Sequence, residues 1–271
     1  MSRVLRIYEE VAADYDQVGP AFYEANGREL VNLVGLRAGD RVLDAGCGRG
    51  ACLFPAADLV GPSGEVIGVD LSPAMVALVG AQAQARTPDG GQGLANVQVV
   101  VGDAQAPDFP AGSFDVVVSG FVLRLLPDPL AALRAYAELL RPGGRFGATI
   151  YAATFGEGWG EVRRVLSSYI PSKGVEVASP LDPASGLAGL LEGAGFGEVL
   201  VVDEPFDIWL ADPDEWWRYM WASGYRGMMD GIPAADRERA GVAARAAAER
   251  LREPDGRLRL PQQVRYATAT R

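Results

Sequence analysis

The chain has 271 residues, with 25 basic against 35 acidic side chains and a formal charge of −10, a balance that excludes nucleic acid as its main partner. Hydrophobic residues make up 49% of it and charged residues 22%, enough apolar material for a large core, so wholesale disorder is excluded as well. It contains no histidine, which removes the commonest general base, serine–histidine nucleophiles and the usual zinc and iron sites.

The first residues carry charges throughout and no long apolar run, so neither a signal peptide nor a membrane anchor is expected. Apolar spacing predicts a helix over Val4 to Tyr15 and, after the Gly19-Pro20 break, a second over Phe22 to Leu36. Together they make residues 1–37 a helical cover. Strand one is expected at Arg41 to Ala45, followed by a glycine-rich turn and a helix from Gly50 to Val60 that Gly61-Pro62 stops. Strand two spans Glu65 to Asp70, and Ser72-Pro73 supplies the N-cap and first turn of a helix reaching Ala85. Thr87 to Gly93 reads as a surface loop.

Strand three is Val97 to Val101, and strand four, Phe114 to Ser119, is apolar on both faces as a central parallel strand should be. A helix over Leu130 to Leu140 ends in a turn at Arg141 to Gly144, which leads into strand five, Arg145 to Tyr151. Residues 154–180 form an irregular excursion with a helix at Val162 to Tyr169, and Pro183 to Ala194 is a further helix. Strand six, Phe196 to Ile208, precedes a helical insertion over about 209–256 with helices at Pro213 to Ser223 and Ala234 to Leu251 and a turn near Met228. The last strand is Arg259 to Thr268. The alternation defines an α/β, Rossmann-like doubly wound sheet of seven strands, mostly parallel with an antiparallel last strand. Residues 38–271 are read as one domain carrying two insertions. Cys47 and Cys52 have no second pair to form a framework, so a reduced, cytoplasmic protein is expected.

The sharpest chemical signal is VLDAGCGRG at residues 42–50, a strand running into glycines that open a helix. Glycines let the backbone approach a ligand, and a helix N-terminus offers free N–H groups. Gly46, Gly48 and Ala51 also fit a loose G-x-G-x-x-A nicotinamide pattern, so neighbouring residues must decide. Asp44 ends strand one, Asp70 ends strand two where a ribose diol would lie, and Asp103 ends strand three. Three such acids suit a cofactor with an amine, a ribose and an adenine, and a nicotinamide has no use for the first. A reductase is further disfavoured because no Tyr-x-x-x-Lys pair follows strand four and the only lysine is Lys173.

With GVDLSPAMV at residues 68–76, VVVGDAQAPDFPAGSFDVV at 99–117 and LLRPGGR at 139–145, the chain resembles the class I S-adenosylmethionine-dependent methyltransferases, in their small-molecule, methyltransferase type 11-like group. The match runs from about Tyr8 to Ile150. The resemblance implies that Gly46, Cys47, Gly48 and Gly50 wrap the methionyl part of S-adenosylmethionine, with Asp44 near its amine. It implies that Asp70 takes the ribose hydroxyls, Leu71 lies on the adenine, and Gly102, Asp103 and Ala104 hold the adenine edge. Ser119, Gly120 and Phe121 would line the channel to the acceptor, and Tyr15 would lie over the cofactor, whose product is S-adenosylhomocysteine. Arg124 stands where relatives often carry histidine, and a guanidinium there can hold an acidic group or cap a helix but cannot take a proton.

Trp209, Trp216, Trp217 and Trp221 crowd one segment, and helical spacing puts Trp217, Met220 and Trp221 on one face. That stripe suits a lid over a flat apolar substrate, or equally the core of the insertion. Trp159 and Tyr169 are candidates for the other wall, Phe22 and Tyr23 for the cover, and Tyr15 and Tyr23 for positioning the acceptor. Without imidazole, a phenol or enol must use Tyr, Asp or Glu as proton taker or arrive ionised, which leans towards carbon or nitrogen acceptors and leaves oxygen allowed. The expected activity is methyl transfer to a small hydrophobic, aromatic or terpenoid secondary metabolite at C, N or O, driven by orientation. The alternative is a protein of this fold that binds the cofactor and serves cyclisation or partner binding. A small molecule is the expected partner, without nucleic acid or membrane, and exposed aromatics allow a homodimer.

Overall fold

A computed structural model describes residues 3–86, 94–153, 158–171 and 181–271. The expected loop at Thr87 to Gly93 and much of the excursion at 154–180 lie outside the described residues.

Helix α1 (Arg3–Val11) ends four residues before its expected limit. The N–H groups of Asp14 and Tyr15 both turn back to the Val11 carbonyl, and Asp16 takes a left-handed φ of 58°. Helix α2 (Phe22–Val34) stops at Gly35, whose φ of 69° is the usual glycine exit. Strand β1 (Arg41–Ala45) matches its expected span. Helix α3 (Leu53–Val60) starts later than expected because Gly50, at φ 89°, cannot be helical. Strand β2 (Glu65–Asp70) and helix α4 (Pro73–Ala85) fall as read, with the Ser72 hydroxyl accepting from the Met75 N–H at 3.1 Å.

Strands β3 (Val97–Val101) and β4 (Phe114–Gly120) follow, then α5 (Pro129–Leu139), capped by Asp128 through the Ala131 N–H at 3.0 Å. Strand β5 (Leu140–Ala153) begins five residues early. The expected turn at Arg141 to Gly144 is a bulge inside it: pairing with β4 passes from Phe114↔Leu140 to Val116↔Arg145. Gly143 and Gly144 are spoken for by the C-terminal residue, since the Gly143 N–H donates to the Arg271 carbonyl and the Arg271 N–H to the Gly144 carbonyl. The remaining elements are α6 (Gly160–Ser168), α7 (Ala184–Gly193), β6 (Gly197–Leu210), α8 (Pro213–Ala222), α9 (Arg226–Met229), α10 (Arg237–Glu249) and β7 (Leu258–Thr270).

The sheet has seven strands in the order β3-β2-β1-β4-β5-β7-β6. The first five are parallel, and the last two run antiparallel. The order reverses between β1 and β4, and ligands of open α/β sheets bind outside the carboxyl ends of the strands at such a point.

The chain divides into two compact units. One comprises Tyr23–Tyr151, Pro180–Glu204 and Val264–Arg271 and holds most of the sheet. Its core joins Leu43, Val117, Phe146 and Ile150 from the strands to Leu133, Tyr136, Leu187 and Leu191 from α5 and α7. Continuous burial of Val116, Val117 and Val118 confirms the reading of β4 as covered on both faces. The other unit comprises Met1–Phe22, Ala152–Ser179 and Pro205–Gln263. There α10 packs on α6 and α8, and its small buried side chains, Ala240, Ala244 and Ala248, allow the close approach.

Candidate functional site

The glycine-rich segment after β1 is folded back across the end of β2. The N–H groups of Gly46 and Cys47 both donate to the Val69 carbonyl, at 2.8 and 3.0 Å. Gly46, Gly48 and Gly50 all have left-handed φ, at 82°, 48° and 89°. Their surroundings differ. A methyl group on Gly46 would overlap Val122 and one on Gly50 would overlap Phe54, so these two glycines serve turn and packing. Gly48 alone of the three faces open space, leaving its backbone approachable by a ligand.

Asp44 is buried, and its Oδ2 has no hydrogen-bond partner among the described residues. Burial, helped by the negative charge of Asp70 and opposed by the Leu53 N–H, pushes its carboxyl up to about 7. An orphaned buried carboxylate beside an open glycine turn fits an ammonium group, whose charge would return Asp44 to its ionised form. Asp70 accepts from the Gly48 N–H at 2.8 Å on one oxygen and from the Ser72 N–H at 2.9 Å on the other. A carboxylate at this strand end accepts hydrogen bonds only, which suits the two donors of a vicinal diol.

Asp103 is exposed at the end of β3, one oxygen accepting from the Gln105 N–H at 2.8 Å. The Gly102 N–H donates to the Asp70 carbonyl, and the Ala104 carbonyl accepts from the Tyr136 hydroxyl at 2.7 Å, so the end of β3 is tied to its neighbours. Leu71 is an exposed apolar side chain at the end of β2, as a surface for a flat base requires. These groups form a row along the carboxyl ends of β1, β2 and β3, an arrangement that fits S-adenosylmethionine. Cys47 and Cys52 are buried free thiols whose ionisation is pushed well up by burial and by the Asp44 carboxylate, so they contribute bulk, not nucleophiles.

Past β4, the Ser119 hydroxyl donates to the Ala45 carbonyl at 3.2 Å, and the room left by Gly120 is taken by the Cys52 sulfur. Phe121 has a left-handed φ of 60°, and its N–H donates to the Thr149 carbonyl at 2.8 Å. Its ring meets Tyr23 edge-on at 5.4 Å and Tyr151 at 4.9 Å, and the Tyr151 hydroxyl donates to that of Tyr23 at 3.0 Å. Sequence reasoning missed Tyr151, which lies beyond the residues paired with β4. Its one signal was alternation: Gly147, Thr149 and Tyr151 share a face of β5.

Arg124, expected to hold an acidic group or cap a helix, is an anchor within the chain. Its Nε donates to the Tyr151 carbonyl at 3.1 Å and its two terminal nitrogens to Asp182 at 2.8 Å and the Leu181 carbonyl at 3.3 Å. The acidic group it holds is the chain's own.

The remaining expected residues lie in the other unit. Tyr15 packs edge-on against Tyr8 at 5.6 Å, and Phe22 is buried against Phe206 at 5.0 Å, so Tyr15 and Tyr23 fall in different units. Trp159 is buried on Trp216 at 5.4 Å with its indole N–H on the Arg259 carbonyl, which makes it a core residue instead of a substrate wall. Of the expected stripe, Met220 is fully buried, Trp217 has Arg245 over its ring, and Trp221 is covered by Arg226 and Arg237 at 5.1 and 4.8 Å. Trp217 and Trp221 themselves are half-buried. Among the described residues, no group of three or more acidic or cysteine side chains could hold a metal ion, and no helix is long and apolar enough to cross a membrane.

Comparison with known proteins agrees with this geometry. Residues 42–144 match a methyltransferase domain family. The chain is 36% identical over 253 residues to Nocamycin O-methyltransferase of Saccharothrix syringae, covering 88% of this chain and 87% of the relative. It is 37% identical over 210 residues to Aklanonic acid methyltransferase DauC of Streptomyces sp. (strain C5), covering 73% and 93%. Among solved structures, the YcgJ protein of Bacillus subtilis superposes with a TM-score of 0.59 at 21% identity over 91% of this chain and 98% of that one, a likeness of fold. With an orphaned carboxylate, an open glycine turn and a strand-end acid in the family's order, the chain belongs to the class I S-adenosylmethionine-dependent methyltransferases of the small-molecule type.

Proposed function

We propose that this enzyme transfers the methyl group of S-adenosylmethionine to an oxygen atom of a small hydrophobic natural product. The observation that carries the cofactor side is the buried Asp44 oxygen, without a partner among the described residues, beside the open Gly48 turn. Support for the oxygen acceptor is the likeness, over 88% of the chain, to a relative named as an O-methyltransferase, and the second relative is named for an acid. Oxygen therefore replaces the leaning towards carbon or nitrogen drawn from the missing imidazole.

The bound cofactor supplies a sulfonium methyl group: an acceptor lone pair forms the new C–O bond as the C–S bond breaks, and the electron pair stays on sulfur in S-adenosylhomocysteine. The chain's own residues bind and orient. Asp44 holds the ammonium, Asp70 the ribose diol, and Asp103 with the Ala104 N–H the adenine edge. Orientation of this kind is worth up to roughly 7 to 11 kcal/mol in favourable cases, enough to dispense with a base when the acceptor is already ionised. Two unpaired buried cysteines support a reducing, cytoplasmic setting.

Calorimetric titration with S-adenosylmethionine, S-adenosylhomocysteine and NADH tests the reading, followed by mass analysis of phenolic and carboxylic acceptors. Binding of the first two ligands alone, with mass gain of one methyl on oxygen, is expected. Binding of neither sulfur compound would overturn it, and a product of unchanged mass would favour the cyclisation reading.

A further inference from the structure

The hydroxyls of Tyr23 and Tyr151 meet at 3.0 Å against the ring of Phe121, at the carboxyl end of the sheet. We infer that this phenol pair receives the acceptor's oxygen and favours its ionised form, so that the substrate class is an acidic hydroxyl, enol or carboxyl group on a flat apolar body. The inference rests on the oxygen-transfer reading above and adds the residues and the acidity to it.

Placement is the first support. Helix α2 runs along one face of β5, its Leu30 and Val34 packed where Gly147 leaves no side chain and its Tyr23 reaching Tyr151 on the same face. One turn after Tyr23, Gly27 abuts the Ala51 carbonyl in the glycine-rich segment. Four residues of helix rise about 6 Å, so the backbone of Tyr23 stands about that distance along α2 from Gly27.

The pair is also held by strained and pinned backbone. Phe121 is an aromatic residue in the left-handed region, a conformation that persists only where surroundings overdetermine it and that clusters at ligand-clamping sites. Arg124 donates to the Tyr151 carbonyl while holding Asp182. A second polar group points the same way. Thr149, two residues before Tyr151 and on the same face of β5, is fully buried, and its hydroxyl has no partner among the described residues.

Chemistry then selects the ligand. A phenol donates and accepts at once, and linked hydroxyls polarise each other into stronger donors. Donors aimed at an oxygen stabilise its anion and lower its pKa. In a protein without histidine, that lets the acceptor lose its proton to solvent before transfer and attack as an anion.

The test uses the whole protein saturated with S-adenosylhomocysteine and alizarin, a flat hydroxyanthraquinone whose colour reports ionisation. Alizarin is expected to bind as its anion, with its ionisation midpoint lowered by about one pH unit. Tyr151→Phe and Tyr23→Phe should each weaken binding roughly ten-fold and return the midpoint to its free value, with S-adenosylhomocysteine affinity unchanged. Because the hydroxyls act together, the double variant should cost little more than either single one. Thr149→Val, which removes a buried unpaired hydroxyl at constant shape, should raise the melting temperature of the ligand-free protein and still weaken alizarin, and it carries the test if a tyrosine variant fails to fold. Wild-type affinity and midpoint in folded Phe and Val variants, or no alizarin binding to the loaded wild type, would sink the inference and leave the methyltransferase reading standing. Failure of S-adenosylhomocysteine to bind the wild type would remove both.

Discussion

Gly27 of α2 stands against the carbonyl oxygen of Ala51 with no room for a methyl group between them. The second helix therefore sets the position of the glycine-rich segment, and a backbone carbonyl cannot swing aside as a flexible side chain could. Gly27→Ala should destabilise the protein by about 1–3 kcal/mol, although alanine is the better helix former, because overpacking outweighs propensity here. Thermal melting would show the loss, and a parallel drop in S-adenosylmethionine affinity would show that the segment has moved. A variant as stable as wild type would mean that α2 can shift without disturbing the site.

Asp44 makes stability and cofactor binding depend on pH in opposite senses. Its folded carboxyl is raised to about 7 from the ordinary 3.8, so the folded state holds the proton more tightly than the unfolded chain. Its contribution is complete below the unfolded value, falls by about 1.4 kcal/mol per pH unit as pH rises towards 7, and levels off above. Asp44→Asn should accordingly raise the melting temperature of the ligand-free protein, with an advantage that grows from acid to neutral pH and then stays constant. The same change should remove most S-adenosylmethionine affinity. In the wild type, the cofactor's ammonium favours the carboxylate, so affinity should rise with pH until about 7 and binding near neutrality should release a proton. Calorimetry in two buffers of different ionisation enthalpy would detect it, and identical heats would refute the pairing.

Asp70 accepts from the Gly48 and Ser72 N–H groups, and a ribose diol is its proposed further partner. Asp70→Ala should cost both ribose contacts, each charge-assisted bond being worth roughly 1.5–3 kcal/mol, and should also loosen the glycine-rich segment. Calorimetry should find affinity reduced by at least a hundred-fold, and unchanged affinity would relocate the site.

Arg265 is a buried arginine on β7 that clasps Asp203 through two bonds of 2.6 Å and the carbonyls of Leu181 and Asp182 at 3.1 and 2.6 Å. Arg265→Met would remove all four of these bonds, and should cost about 3 kcal/mol in denaturant unfolding. Since Arg124 grips the same two residues from β4's side, Arg124→Ala on top of it should cost less than the sum of the single changes. Full additivity would mean that the two arginines act independently.

What could be read from the sequence was what local chemistry decides. The limits of β1, β2 and β3 and the Ser72 cap follow from apolar runs, strand-end acids and a hydroxyl before proline, all of which act within a few residues. The placement of Asp44, Asp70 and Asp103 at one edge was legible for the same reason, since a parallel sheet delivers successive strand ends to one edge. Contacts between distant segments were not legible. That Gly46 and Gly50 serve packing while Gly48 stays open depends on Val122 and Phe54, which only the folded chain brings up. The tryptophan spacing named a shared face, but not the arginines of α9 and α10 that lie on the rings of Trp217 and Trp221. Arg124 looked available because its partner is 58 residues away, and Tyr151 looked like one more strand residue because its hydroxyl is matched 128 residues earlier. Side-chain periodicity names the face of an element, but only tertiary packing decides what that face meets.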